Sequence, residues 1–180
     1  MLSAYLVLYR YADLKNKNYI EVIIIAVLRD KGRSDSCCEF RLDIDRIKVI
    51  SENTEFVDLT ISFYSGKSFP EVKANIDLEI SDLTTVMEKL TNLATDSVQY
   101  IDPYDPGFLI YSIPETNPLN DELVFRIIIT IDAGLINGIG AAFSGPSLAL
   151  TVKQIDVIAF VSEIRKELIT LPRTPYKIGI

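Results

Sequence analysis

The residues in this chain that could do acid–base or metal chemistry are carboxylates, and several occur in close pairs. Side chains at i and i+2 of an extended strand point to the same side, so two of these pairs could share a proton or a cation. With 25 acidic residues in the chain, such pairs also arise by chance. None of them extends into the oxygen-rich loop that holds calcium, but a carboxylate-dependent enzyme remains one hypothesis. The pairs are Asp43/Asp45, Asp77/Glu79 and Asp102/Asp105.

The chain contains no histidine. Histidine is the usual general base near neutral pH, the usual partner of a nucleophilic serine or cysteine, and the commonest metal ligand. Its absence excludes Ser-His-Asp triads, Cys-His dyads and HExxH zinc sites. Cys37 and Cys38 are adjacent, so a disulfide between them would be strained, and we expect two reduced thiols. We therefore expect no catalytic residue, no metal site and no cofactor.

The most unusual local sequence is Asp102-Pro103-Tyr104-Asp105-Pro106-Gly107-Phe108. A proline disfavours helix in the residue before it, and Gly107 permits a turn before the next strand. The segment therefore predicts a rigid acidic loop, and a pre-ordered loop loses less entropy when it binds a partner. A solvent-facing loop without a partner stays open as the alternative. The candidate partner-binding residues are Asp102, Tyr104 and Asp105.

A second loop, residues 134–145, is rich in glycine. Gly134, Gly138 and Gly140 do not have G-x-G-x-x-G spacing, and the Walker Gly-Lys-Ser/Thr ending is missing. The pattern also predicts no helix directly after the loop whose N-terminus could hold a phosphate. We expect a flexible connection between Asp132 and Ser147. A ligand-binding or assembly module that uses this loop is the main alternative function.

The net charge is −7, and the pI is near 4.7. The chain has no run rich in lysine or arginine, which disfavours nucleic-acid binding, whereas an acidic surface suits a basic protein partner. The longest apolar run, Val22–Leu28, is shorter than the ~20 residues that span a bilayer. The first residues lack the positive charge of a secretory signal. We expect a soluble cytoplasmic protein with no membrane contact, and the oligomeric state stays open.

Periodicity predicts many strands and two helices. Alternating apolar residues predict strands in four segments of the first eighty residues, namely Ala4–Tyr11, Tyr19–Arg29, Cys37–Ile50 and Glu55–Ser65. Leu83, Val86, Met87, Leu90 and Leu93 form one helical stripe, with Ser81 as the expected cap and Asp82 in the first turn. Further strands are expected at 98–101, 108–113 and 123–132. The second helix is expected over 154–169, with its buried stripe at Val157, Phe160, Val161, Ile164 and Leu168.

These elements predict an α+β fold, a mostly antiparallel β-sheet with two amphipathic helices packed on one face. A shift of 72 residues aligns Ile76, Leu78 and Ile80 with Leu148, Leu150 and Val152, which indicates two similar strand–helix units. We predict one α+β domain over 1–180, strand-rich in 1–80, with strand–helix units at 72–95 and 146–170. Whether residues 1–80 share one sheet with the rest stays open.

Residues 72–173 resemble the WapI-type immunity proteins, which protect bacteria from polymorphic toxins delivered by contact. The resemblance lies in the order and spacing of the elements. A strand precedes the helix at 81–90, an Asp-Pro segment precedes the strands at 108–111 and 124–130, and a strand ending at Val152 precedes the last helix. That helix has Phe160 in its middle and closes in Leu171-Pro172-Arg173. The resemblance implies a non-enzymatic inhibitor that binds a toxin domain, with a basic nuclease as the expected partner.

Overall fold

The structure is a computed structural model that describes residues 7–12, 19–33, 36–103, 107–138, 140 and 144–176. Its strands are paired antiparallel almost throughout, and its two long helices are amphipathic, so the expected α+β class is confirmed. The strands divide into separate sheets rather than one. Among the described residues, no helix is long and apolar enough to cross a membrane.

The first strands form a small hairpin and then a larger sheet. β1 (Val7–Ala12) and β2 (Tyr19–Ile24) pair only with each other among the described residues. The next four strands form an antiparallel meander that leads directly into a helix. We call this meander the first sheet. Its elements are β3 (Ala26–Arg29), β4 (Cys38–Ser51), β5 (Thr54–Ser65), β6 (Val72–Glu79) and the helix α1 (Ile80–Thr91).

The second half repeats this order of four strands and a helix. A single helical turn, α2 (Ala133–Ile136), lies between its third and fourth strands. We call these four strands the second sheet. The last strand of the described residues, β11 (Arg173–Pro175), pairs parallel with β4 of the first sheet. The elements are β7 (Gln99–Ile101), β8 (Phe108–Thr116), β9 (Leu123–Ile131), β10 (Ser147–Val152) and α3 (Gln154–Thr170).

One continuous core joins the inner faces of both sheets to both helices. The alternating apolar residues of β5 and β9 face it, and so do the predicted stripes of α1 and α3. Burial of each of these side chains contributes roughly 1.5–3 kcal/mol relative to exposure, which is why the periodicity predicts the helices well. The largest fully buried side chains include Phe40, Phe108, Phe125, Leu83 and Ile127.

A hydrogen-bonded hook connects the two sheets. Asp30, just after β3, accepts a hydrogen bond at 2.7 Å from the backbone N–H of Thr151 in β10, and Lys31 N donates to Thr151 O at 2.6 Å. Burial opposes ionisation of Asp30, but hydrogen bonds from Ser36, Thr151 and Gly32 outweigh it and lower the pKa of this carboxyl. The hook therefore holds the edge strand of the second sheet with an ionised side chain from the first.

Two local predictions are wrong. The segment Tyr19–Arg29 is not one strand, because the extended pairing is interrupted at Ile25 and β2 and β3 belong to different sheets. Ser81 is not the cap of α1, since β6 runs directly into the helix and the extended residue Glu79 occupies the cap position. Ser81 consequently lies inside the first turn, where Asp82 is also found as expected.

Candidate partner-binding face

The outer face of the first sheet is covered by ion pairs that satisfy one another. Lys48 lies between Asp58 and Asp77, at 2.6 Å from an oxygen of each, and only 8 % of its surface is exposed. Burial alone would lower the pKa of Lys48, but the hydrogen bonds and charges of the two aspartates raise it. Arg46 also bonds to Asp58. The charged side chains of this face are therefore paired with one another and stabilise the fold.

The outer face of the second sheet is different, because its central row carries no charge. Tyr100, Tyr111, Ile128 and Ala149 are direct cross-strand neighbours from β7 to β10. Tyr100 and Tyr111 are 40 % and 38 % exposed. This row resembles the core of a protein interface more than an ordinary wetted surface, since aromatic residues are enriched and charges are depleted there.

The two tyrosines form a defined pair. Their ring centroids are 5.0 Å apart at an interplanar angle of 47°. The Tyr100 hydroxyl donates a hydrogen bond to Asp102 Oδ2 at 3.1 Å. Burial, together with the hydrogen bond and charge of Asp102, raises the pKa of Tyr100, so this phenol stays protonated and keeps donating at neutral pH. We call Tyr100, Tyr111 and Asp102 the tyrosine site.

The structure therefore brings one predicted site residue into a definite arrangement. Asp102 lies beside two exposed aromatic rings, whereas Tyr104 and Asp105 lie outside the described residues. The sequence analysis missed Tyr100 and Tyr111. A signal existed for the first, because Tyr100 and Asp102 are two residues apart around a strand end and so point to the same side.

The glycine-rich loop lies beside the Asp-Pro segment. The backbone N–H of Asp132 donates to Gly107 O at 2.9 Å, and a Cβ at Gly107 would come within 2.8 Å of Ile136. The expected flexible connection contains the helical turn α2, while residues 139 and 141–143 lie outside the described part. Asp132 is buried, accepts from Gly134 N at 2.9 Å, and its charge also acts on Tyr100. The two loops that the sequence analysis chose thus meet at one end of the second sheet.

The carboxylate pairs take part in other contacts. The pairing of β4 with β5 shifts register between Ile44 and Arg46, and Asp45 accepts a hydrogen bond from Thr60 Oγ1 at 2.6 Å. Asp77 pairs with Lys48 at 2.6 Å, and Glu79 occupies the N-cap position of α1, where its side chain makes no capping hydrogen bond. In the part of the chain that the structure describes, no three acidic or cysteine side chains converge as a metal site would require.

Comparisons with known proteins give little guidance. No protein-family model matches the chain, and no curated protein matches it significantly. Two solved structures share part of its shape. The plant transcriptional regulator PBF-2 has 11 % identity and a TM-score of 0.39, covering 85 % of this chain and 84 % of that one. WHY1 from Arabidopsis thaliana has 10 % identity and a TM-score of 0.37, covering 85 % and 87 %. At such low TM-scores these similarities indicate no function for this chain.

Proposed function

We propose that this chain is a non-enzymatic cytoplasmic binding protein that neutralises a basic toxin domain by direct contact, as an immunity protein does. The tyrosine site on the second sheet is the proposed docking point. The observation that carries the proposal is the exposed Tyr100–Tyr111 pair with Asp102 hydrogen-bonded to one of its hydroxyls. The resemblance of residues 72–173 to WapI-type immunity proteins supplies the class of partner.

The arrangement suits an interface hot spot for physical reasons. Tyrosine presents a large amphipathic surface with few rotatable bonds, so little side-chain entropy is lost when a partner covers it. Ring packing and the bond to Asp102 already restrict Tyr100, which reduces that loss further. Farther along the same strands Arg126 and Glu115 pair at 3.1 Å, so the uncharged row has a polar rim.

The chemistry of the tyrosine site favours a cationic side chain on the partner. The faces of aromatic rings attract ammonium and guanidinium groups, and an adjacent carboxylate adds a charge-assisted hydrogen bond. An arginine or lysine that reaches Tyr100 would meet the Asp102 carboxylate at the same time. The net charge of −7 would speed the encounter with a basic domain and slow the approach of nucleic acid.

The test is co-expression of this chain with the C-terminal toxin domain encoded next to its gene, scored for rescue of growth and for a co-purifying complex. We expect rescue and a stoichiometric complex. Changing both Tyr100 and Tyr111 to serine should weaken binding at least about a hundredfold, because hot-spot losses exceed roughly 2 kcal/mol each. Tyr176→Ser is the matched control, since Tyr176 is exposed but lies on the first sheet against Lys48.

A charge reversal separates the contribution of Asp102 from that of the rings. Asp102→Lys should slow association and weaken its dependence on salt, whereas Glu52→Lys, an equal charge change in the exposed turn between β4 and β5, should have a small effect. Equal kinetics for the two lysine variants would remove Asp102 from the interface. Absence of rescue and of any complex would reject the immunity function itself.

A further inference from the structure

A second surface of the chain has the features of a docking groove. It is a shallow depression of about 590 Å³ where the end of α1, the start of α3 and the start of β9 meet. It shares no residue with the tyrosine site. Gln154, the first residue of α3, donates a side-chain hydrogen bond at 2.8 Å to the carbonyl oxygen of Thr91, the last residue of α1. The two helix ends that form the groove are thus tied together before anything binds.

The groove exposes apolar side chains that the core does not use. Ile155 is 66 % exposed, Leu123 42 % and Ile158 40 %, and all three line the depression. Ile155 and Ile158 are three residues apart, so they lie on one face of α3, while Val157 and Phe160 face the core. A helix that is apolar on two faces normally has both faces buried. In α3 the core of the protein buries the face that carries Val157 and Phe160, whereas the face that carries Ile155 and Ile158 is exposed.

The charged residues around the groove indicate which kind of partner would bind the exposed face of α3. Glu122 and Lys153 pair at 2.7 Å at its edge and neutralise each other. Next to the lining residues in the chain lie Asp96, Asp121 and Asp156, with Arg126 as the opposing cation. These six groups leave an excess of two negative charges around an apolar floor. Such a surface is complementary to an apolar stripe flanked by basic residues.

We propose that this groove binds an amphipathic, basic helix of a partner protein. The apolar residues of that helix, spaced at i, i+3 or i+4, and i+7, would contact Ile155, Ile158 and Leu123, and its lysines or arginines would face the acidic rim. This binding mode needs no contact at the tyrosine site. The inference therefore stands whether or not the proposed toxin is the partner.

A synthetic helix of leucine and lysine, about five turns long, is the probe, and a scrambled peptide of the same composition is its comparison. Fluorescence anisotropy with the full chain should show the amphipathic peptide binding at least about tenfold tighter than the scrambled one. Ile155→Glu should weaken binding about tenfold or more, although it adds a negative charge that would strengthen purely electrostatic attraction. Ile169→Glu, at a 78 % exposed position on the far end of the same helix, should not.

Thermal unfolding checks that each variant is folded, and Leu123→Ser, which removes apolar contact from β9 without touching α3, provides a second test. Equal binding of the two peptides, or equal weakening by Ile155→Glu and Ile169→Glu, would overturn the inference. The double serine variant of Tyr100 and Tyr111 should bind the peptide normally. Loss of peptide binding in that variant would place the peptide on the tyrosine site and would also overturn it.

Discussion

The carboxyl group of Glu167 in α3 lies beside the backbone N–H of Ile44 in β4. Ile44 lies between the two parts of β4 that pair with other strands along this edge. β3 pairs with residues 39–42 of β4, and β11 pairs with residues 47–49. Only 4 % of Glu167 is exposed, and among the described residues its Oε2 has no hydrogen-bond partner. Burial, together with the charge of Asp43, raises the pKa of Glu167 to about 9, so the carboxyl is neutral at pH 7.

Stability should therefore fall as the pH rises. The pKa of Glu167 is about 9 in the folded chain, against the ordinary value of 4.5 in the unfolded chain, so its favourable contribution is complete below about pH 4.5. Between these values the unfolded chain releases a proton that the folded chain keeps, which costs up to about 1.4 kcal/mol per pH unit. Glu167→Gln should remove this decline.

Urea unfolding at several pH values would measure how the free energy of unfolding depends on pH. Glu88→Gln, at an exposed position on α1, is the control and should leave the slope unchanged. The same pH slope in wild type and Glu167→Gln would show that Glu167 titrates normally.

The tyrosine site should have a spectroscopic signature without any partner. Because burial and Asp102 raise the pKa of Tyr100, one phenol should ionise above the ordinary range in an ultraviolet titration. Tyr100→Phe should remove that late phase, and Asp102→Asn should move it to lower pH. Tyr111→Phe should move it less than Asp102→Asn does, since the charge of Tyr111 raises the pKa of Tyr100 less than the hydrogen bond and charge of Asp102 do. An Asp102→Asn titration identical to wild type would contradict the hydrogen-bond assignment.

Lys48 should matter for folding. Lys48→Met leaves Asp77 without its cation and Asp58 with Arg46 alone, and we expect a loss of about 1–3 kcal/mol in the free energy of unfolding at pH 7. The matched control is Lys73→Met, which breaks an exposed pair with Glu71 worth less than about 1 kcal/mol. Chemical denaturation distinguishes the two, and equal losses would refute a special role for Lys48.

The turn before β10 should tolerate no side chain. A Cβ at Gly145 would overlap the backbone carbonyl oxygen of Ile131, so Gly145→Ala must shift the backbone and should cost about 1–3 kcal/mol. Gly138→Ala meets no atom within 4 Å, although its φ of +69° gives the variant a smaller cost of about 1 kcal/mol. Melting temperatures of the two variants would test this order, and a less stable Gly138→Ala would reverse it.

Part of the tyrosine site could be predicted. Asp102 was identified from the Asp-Pro sequence around it, because two prolines and a glycine restrict the local backbone whatever the rest of the chain does. Tyr111 could not be placed beside Tyr100, because that contact depends on the register between β7 and β8. Similarly, the alternation of β4 predicts no irregularity at Asp45, and the register shift between Ile44 and Arg46 depends on the pairing of β4 with β5.

The sequence by itself determined the two amphipathic helices, most of the strands and the side of each that is buried. These follow from local periodicity, since the apolar residues of one element must share a face to leave water. Only the tertiary structure decided that the strands form separate sheets, that Asp30 bonds to Thr151, and that Glu167 meets Ile44. Residues so far apart in the chain come together through sheet order and register, which no local pattern encodes.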